Sequence, residues 1–173
     1  VSLSDEDIFL EIKKEREEIG YYSLPHADIT NLKKELDSLD FKQKNIAIIG
    51  IGGSTLGTYA IYNFLKYHKQ KNKSLKKEIF FFESTDPVNL NGTISQFDLE
   101  DTLFIVISKS GTTIETISIF KYLSSIIKMD KSNLLVITEN DSKLNSFAKV
   151  NDIKTFDIPK NVGGRFSVLA NVG

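Results

Sequence analysis

From Asn45 onward, five short apolar runs alternate with helical patterns, and this alternation limits the possible folds more than any other feature of the chain. The runs fall at about 45–49, 79–83, 103–107, 134–138 and 154–158; the helices between them fall at about 54–68, 87–96, 113–128 and 142–149. Ile79-Phe80-Phe81-Phe82 is apolar at every position, the mark of a strand buried on both faces. Such strands alternating with helices predict an α/β fold, a five-stranded parallel sheet with helices on both faces. Asp86-Pro87 supplies an N-cap and a first-turn proline, and Asp141 or Ser142 caps a later helix.

Residues 1–44 read differently. Ser4 precedes Asp5-Glu6-Asp7 as an N-cap would, and Ile8, Leu10, Ile12 and Ile19 form a loose apolar stripe that stops at Gly20. Tyr21 to Pro25 is expected to be extended, and Asp28 to Leu39 a charged helix. The expected organisation is an N-terminal helical extension over 1–44, packed on a sheet domain over 45–173. The lysine-rich stretch from Lys66 to Lys77 reads as a solvated loop.

With 173 residues, 40% of them hydrophobic and 26% charged, the chain can bury one substantial core. Its net charge is −1, which provides no general attraction for nucleic acid or an anionic membrane. Cysteine is absent, excluding disulfides and zinc–thiolate sites. No apolar run is long enough to span a bilayer, and the acidic N-terminus lacks a signal-peptide pattern, so a cytoplasmic location is expected. The start at Val1 and the end at Asn171-Val172-Gly173 read as those of a fragment of a longer protein.

Two stretches carry chemistry. Gly50-Ile51-Gly52-Gly53-Ser54 follows the first strand, and Ser108-Lys109-Ser110-Gly111-Thr112-Thr113 follows the third; each opens a helix. Unpaired N–H groups of a first helical turn point at whatever lies beyond it, and the helix dipole favours a negative charge there. In a sheet of order 2-1-3-4-5, strands one and three are neighbours at the switch point, where loops splay apart to admit a ligand. Both stretches are therefore expected at one crevice, holding one phosphate from two sides. A dinucleotide fingerprint would need glycine where Thr55 stands, and a Walker loop would need lysine where Thr58 stands. Glu83, at the end of the second strand, could imitate a ribose-binding acid, which keeps a nucleotide-binding domain as a weaker alternative.

These stretches resemble the two phosphate loops of the phosphoglucose isomerase family. Gly50 to Gly57 is similar to the first loop, and Ser108 to Thr116 to the second in its bacterial form. Asn161-Val162-Gly163-Gly164-Arg165-Phe166-Ser167-Val168-Leu169 is similar to the family's Gly-Gly-Arg-aromatic-Ser signature. The Ser-rich loop alone is shared by sugar-isomerase (SIS) domains generally; the Gly-Gly-Arg element narrows the match. The resemblance implies a flavodoxin-like three-layer SIS domain in which Gly53, Ser54, Ser108, Ser110, Thr112 and Thr113 hold the substrate's phosphate, with Lys109 in the same loop. It implies that Arg165 faces the reacting carbons and stabilises a cis-enediol(ate). A fixed, always-charged fork suits that role, and Arg165 is one of only two arginines among the 22 lysines and arginines.

The implied reaction interconverts glucose 6-phosphate and fructose 6-phosphate in glycolysis and gluconeogenesis, with no metal or organic cofactor, in a homodimer whose active site takes a histidine from the partner subunit. The family's base glutamate, ring-opening histidine and acid–base lysine lie beyond the Gly-Gly-Arg element, so this chain is expected to bind phosphate without turnover. A non-catalytic sugar-phosphate-sensing module is the alternative; it would have no need of Gly164-Arg165. The remaining candidates read as structural. His26 and His68 are expected at the surface or in linkers, Glu115 as a first-turn carboxylate explained by the helix dipole, and Phe80 to Phe82 as core. Tyr21-Tyr22 is expected to pack the N-terminal helices on the sheet, and Gly50, Gly52 and Gly57 to serve the turn and helix–sheet packing.

Overall fold

A computed structural model describes residues 4–72 and 77–172. The side chain of His68 and the residues around Ser74 in the lysine-rich stretch lie outside what is described, as do Val1–Leu3 and Gly173. Five strands, β1 (Asn45–Ile49), β2 (Glu78–Phe82), β3 (Thr102–Ile107), β4 (Leu134–Thr138) and β5 (Lys154–Asp157), form one sheet of order β2-β1-β3-β4-β5. Every pairing is parallel, with Ile49 level with Phe82 on one side and with Val106 on the other.

Because successive side chains point to opposite faces, the apolar runs feed two cores. Ala47, Ile49, Phe82, Phe104, Val106, Leu134 and Val136 face α4 (Pro87–Ile94), α5 (Ile114–Ile126) and α6 (Lys143–Val150), which contribute Leu90, Ile119, Leu123 and Ala148. Ile48, Leu103, Ile107, Leu135, Ile137 and Phe156 face the other way, toward Leu32 and Leu39 from the N-terminal segment and Val172. On that side α3 (Leu56–Asn72) sets Tyr59 edge-on to Phe81 at 5.0 Å between ring centroids.

The N-terminal segment departs most from expectation. Helix α1 (Asp5–Glu18) is capped by Ser4, whose hydroxyl accepts from Asp7 N–H in a full capping box. The stretch from Tyr21 to Pro25 is not extended. Two 3₁₀ turns, Gly20–Tyr22 and Leu24–His26, occupy it, closed by Ser23, whose N–H and hydroxyl both donate to the Gly20 carbonyl. Helix α2 (Thr30–Asp37) is shorter than expected; Asp28 accepts from Thr30 N–H at 2.9 Å and so starts it late. Tyr21 stacks on Tyr22 and lies 4.7 Å from the ring of Phe166, so the pair packs on the Gly-Gly-Arg segment and not on the sheet.

Helix α3 also runs to Asn72, so residues 66–72 are helical rather than part of a loop. Lysine and glutamine are good helix formers, and no glycine or proline interrupts them there. At the other helix starts, Asp86 accepts from Asn89 N–H, and Ser142, not Asp141, accepts from Asn145 N–H. Among the described residues no helix is long and apolar enough to cross a membrane.

Candidate active site

A cleft of about 410 Å³ opens at the C-terminal edge of the sheet, between the ends of β1 and β3. The β1 loop supplies Ile51, Gly53 and Ser54, and the β3 loop supplies Lys109, Ser110 and Thr113. Glu139 from the end of β4 and Gly164-Arg165 from the segment after β5 complete the wall. The strand order explains the location: β1 leaves toward β2 on one side, β3 toward β4 on the other, and their loops part above the sheet.

The β1 loop is fixed by backbone contact. A Cβ added to Gly53 would lie 2.0 Å from the Gly164 carbonyl oxygen and 2.7 Å from the Arg165 nitrogen. No side chain fits there, so the glycine loop and the arginine segment touch main chain to main chain. Ser167, buried below, shares its hydroxyl proton between the Gly164 carbonyl at 2.6 Å and the Gly53 carbonyl at 3.3 Å. Gly57 meets Val168 of the same segment, so its smallness serves this contact and not helix–sheet packing.

The β3 loop is fixed by hydroxyls. Ser108 is 1% exposed and donates to Thr113 Oγ1 at 3.1 Å. Thr112 approaches Ser110 Oγ through both its N–H (3.3 Å) and its hydroxyl (3.1 Å). Beneath them Thr138 donates to the Ser108 carbonyl at 2.7 Å. Its single proton is thereby used, so Ser142, 2.8 Å away, donates to Thr138 in turn. Ser142 accepts from Asn145 N–H at the start of α6. A chain of bonds thus runs from the α6 cap to the loop. Gly111 has φ +65°, and a Cβ there would lie 2.7 Å from Ser142 Cβ.

Of the expected site residues, Gly53, Ser54, Lys109, Ser110, Thr113 and Arg165 share the cleft. Ser108 sits under it, with its hydroxyl turned to Thr113, and Thr112 turns toward a separate groove between α5 and α6. Helix α5 begins just behind Thr113, which makes no capping bond of its own, so the first-turn N–H groups of α5 are uncapped by a side chain. Glu115 stands in that turn. Lys109 Nζ pairs with Glu139 at 3.1 Å and donates to the Lys160 carbonyl at 3.0 Å. The Lys160 side chain is itself paired with Asp141, whose carboxyl is held below the usual range by that lysine.

Sequence reasoning missed Glu139. Its signal was topological: it follows β4, and every strand end in a parallel sheet opens on the same edge. Glu83 does not line the cleft, and its Oε1 is buried without a hydrogen-bond partner among the described residues. His26 is exposed. Among the described residues no three His, Cys, Asp or Glu side chains converge as metal ligands would.

The arrangement can hold one compact oxyanion. Hydroxyl-bearing residues and the start of α5 come from the β3 loop, Gly53 and Ser54 from the β1 loop, and Arg165 from the segment after β5. The family model of phosphoglucose isomerase matches residues 32–173. A glucose-6-phosphate isomerase of Campylobacter jejuni is 39% identical over 162 residues, which are 90% of this chain and 39% of that protein. The crystal structure of a hypothetical protein from Thermus thermophilus superposes with a TM-score of 0.75 at 30% identity, over 94% of this chain and 40% of that one. The crystal structure of a glucose-6-phosphate isomerase from Chlamydia trachomatis gives a TM-score of 0.68 at 28% identity, over all of this chain and 31% of that one. The chain thus spans about two fifths of the length of the curated relative it matches.

Proposed function

The chain belongs to the phosphoglucose isomerase family, and from that premise we propose that it is the phosphate-holding part of a glucose-6-phosphate isomerase. In this reading the phosphate of a hexose 6-phosphate sits between Ser54 and the Ser110–Thr113 loop. The observation that carries it is the cleft itself, where Gly53, Ser54, Lys109, Ser110, Thr113 and Arg165 face one another. The uncapped α5 amides and the hydroxyls supply directional donors suited to three phosphate oxygens. Ser108 acts one layer down by orienting Thr113, and Thr112 by orienting Ser110.

Arg165 enters the cleft on the segment against which Gly53 rests. A guanidinium there meets the negative charge that develops on the sugar oxygens as a proton moves between C1 and C2 and a cis-enediolate forms. It keeps its own proton throughout. Moving the carbon-bound proton needs a carboxylate base, and opening the pyranose needs a further acid–base group. Among the described residues of the cleft the only carboxylate is that of Glu139, which is engaged by Lys109. The 173-residue chain therefore binds hexose phosphate without isomerising it, and the complete reaction takes place in a longer, homodimeric, cytoplasmic enzyme.

An amide-NMR titration with fructose 6-phosphate tests this, with fructose and NAD as controls. Saturable shifts at Ser54 and at Ser108–Thr113 with the phosphorylated sugar alone are expected. A response to NAD only, or none in these loops, would overturn the reading. Measurable isomerase activity in the purified chain would sink the claim that it binds without turnover.

A further inference from the structure

Resting on the hexose-phosphate reading of the cleft, we propose that Glu139 is a specificity-determining residue there, limiting the site to ligands that carry a single phosphate group. A carboxylate in the wall of an anion site would be a defect if affinity were the only demand. Glu139 is 23% exposed at its side chain and pairs with Lys109, which is 29% exposed, at 3.1 Å. The Lys160 carbonyl accepts a second N–H from the same ammonium at 3.0 Å. Two of the three lysine donors are thus committed within the protein, and the charge is matched at contact distance. Lys109, Glu139 and Arg165 are the charged side chains of the wall, so the cleft carries a single net positive charge.

The two kinds of recognition then divide. Hydroxyls and main-chain N–H groups saturate on one tetrahedral oxyanion, whatever else the ligand carries. The Coulomb interaction instead scales with total ligand charge. Glu139 cancels one of the two positive charges of the wall and leaves the directional part untouched, so a second phosphate on the sugar gains less from the site than two free cations would give it and is repelled by Glu139. Nothing in the loop motifs encodes this; it comes from the β4 end reaching the same edge.

The test titrates the chain and its Glu139→Gln variant with fructose 6-phosphate and fructose 1,6-bisphosphate at one ionic strength, by calorimetry. The variant is expected to bind the monophosphate about threefold more tightly and the bisphosphate about tenfold more tightly, since the removed repulsion grows with ligand charge. Glu139→Asp, which keeps the charge, is expected to keep the wild-type preference. Equal gains for both ligands would overturn the proposal. Weaker binding of both would also overturn it, and would make Glu139 a residue that merely positions Lys109. If the wild-type chain binds the monophosphate and the preference stays fixed, only the role of Glu139 falls. If neither chain binds either sugar phosphate, the reading of the cleft falls with it.

Discussion

The two loops that face each other across the cleft are built on opposite principles. The β1 loop is held by what it lacks: with no side chain at Gly53, its main chain rests on that of Gly164 and Arg165. The β3 loop is held by what it carries: hydroxyls of Ser108, Ser110 and Thr112 bond within it, and Thr138 ties it to the α6 cap. A contact of the first kind tolerates no added atom. A network of the second kind loses its members one at a time. The two walls of one cleft are thus secured by sterics on one side and by hydrogen bonding on the other.

Gly53→Ala should break this comparison most severely. Its methyl would overlap main-chain atoms that have no rotamer to change, so we expect a loss of about 3 kcal/mol or more in denaturant unfolding, together with loss of sugar-phosphate binding. Gly111→Ala comes next, at about 2 kcal/mol, from positive φ and overlap with Ser142 together. Thr138→Val keeps shape but takes one of two donors from the Ser108 carbonyl, which retains Gly111 N–H, and leaves the Ser142 hydroxyl proton without its acceptor; about 1–2 kcal/mol is expected. A gain in the unfolding midpoint would show that this relay is not structural.

Serines sharpen the contrast. Ser108→Ala should cost about 1 kcal/mol. Ser54→Ala should stay within about 0.5 kcal/mol of wild type, because no bond among the described residues uses its hydroxyl, while weakening fructose 6-phosphate binding. Equal stability losses for the two would mean that the loops are not built differently after all.

The smallest effect concerns the rim. Asp141 has its carboxyl lowered by Lys160, so its contribution is complete above the unfolded value near 3.8 and is lost as pH falls through the lower folded value. Both partners are well exposed, so Asp141→Asn should leave stability at neutral pH nearly unchanged. Carboxyl NMR titration should still show the wild-type midpoint depressed, and most of that depression should be lost in Lys160→Met, Lys149 supplying the smaller remainder.

Strands and switch point were legible in the sequence because each strand is a continuous apolar run and each parallel connection needs its helix; β1 and β4 fall at the expected residues. What was not legible depended on distant partners. The 3₁₀ turn at Gly20 is anchored by its N–H on the Asn161 carbonyl, a contact no local pattern announces. The end of α3 was masked by charge, since lysines suit an exposed helix as well as a loop. In the site, residue types picked out the hydroxyls and Arg165. They could not show that Ser108 and Thr112 act from below and beside the cleft. Glu139 escaped notice because a lone carboxylate after a strand carries no motif.

The bare contact between Gly53 and Gly164 also bears on the width of the cleft. It sets the gap between the β1 loop and the backbone at Arg165 by the thickness of two main chains, a caliper whose jaws cannot be opened by turning a side chain. Widening or narrowing the cleft on this side therefore calls for inserting or deleting residues in a loop. Exchanging side chains would change the grip and leave the span as it is.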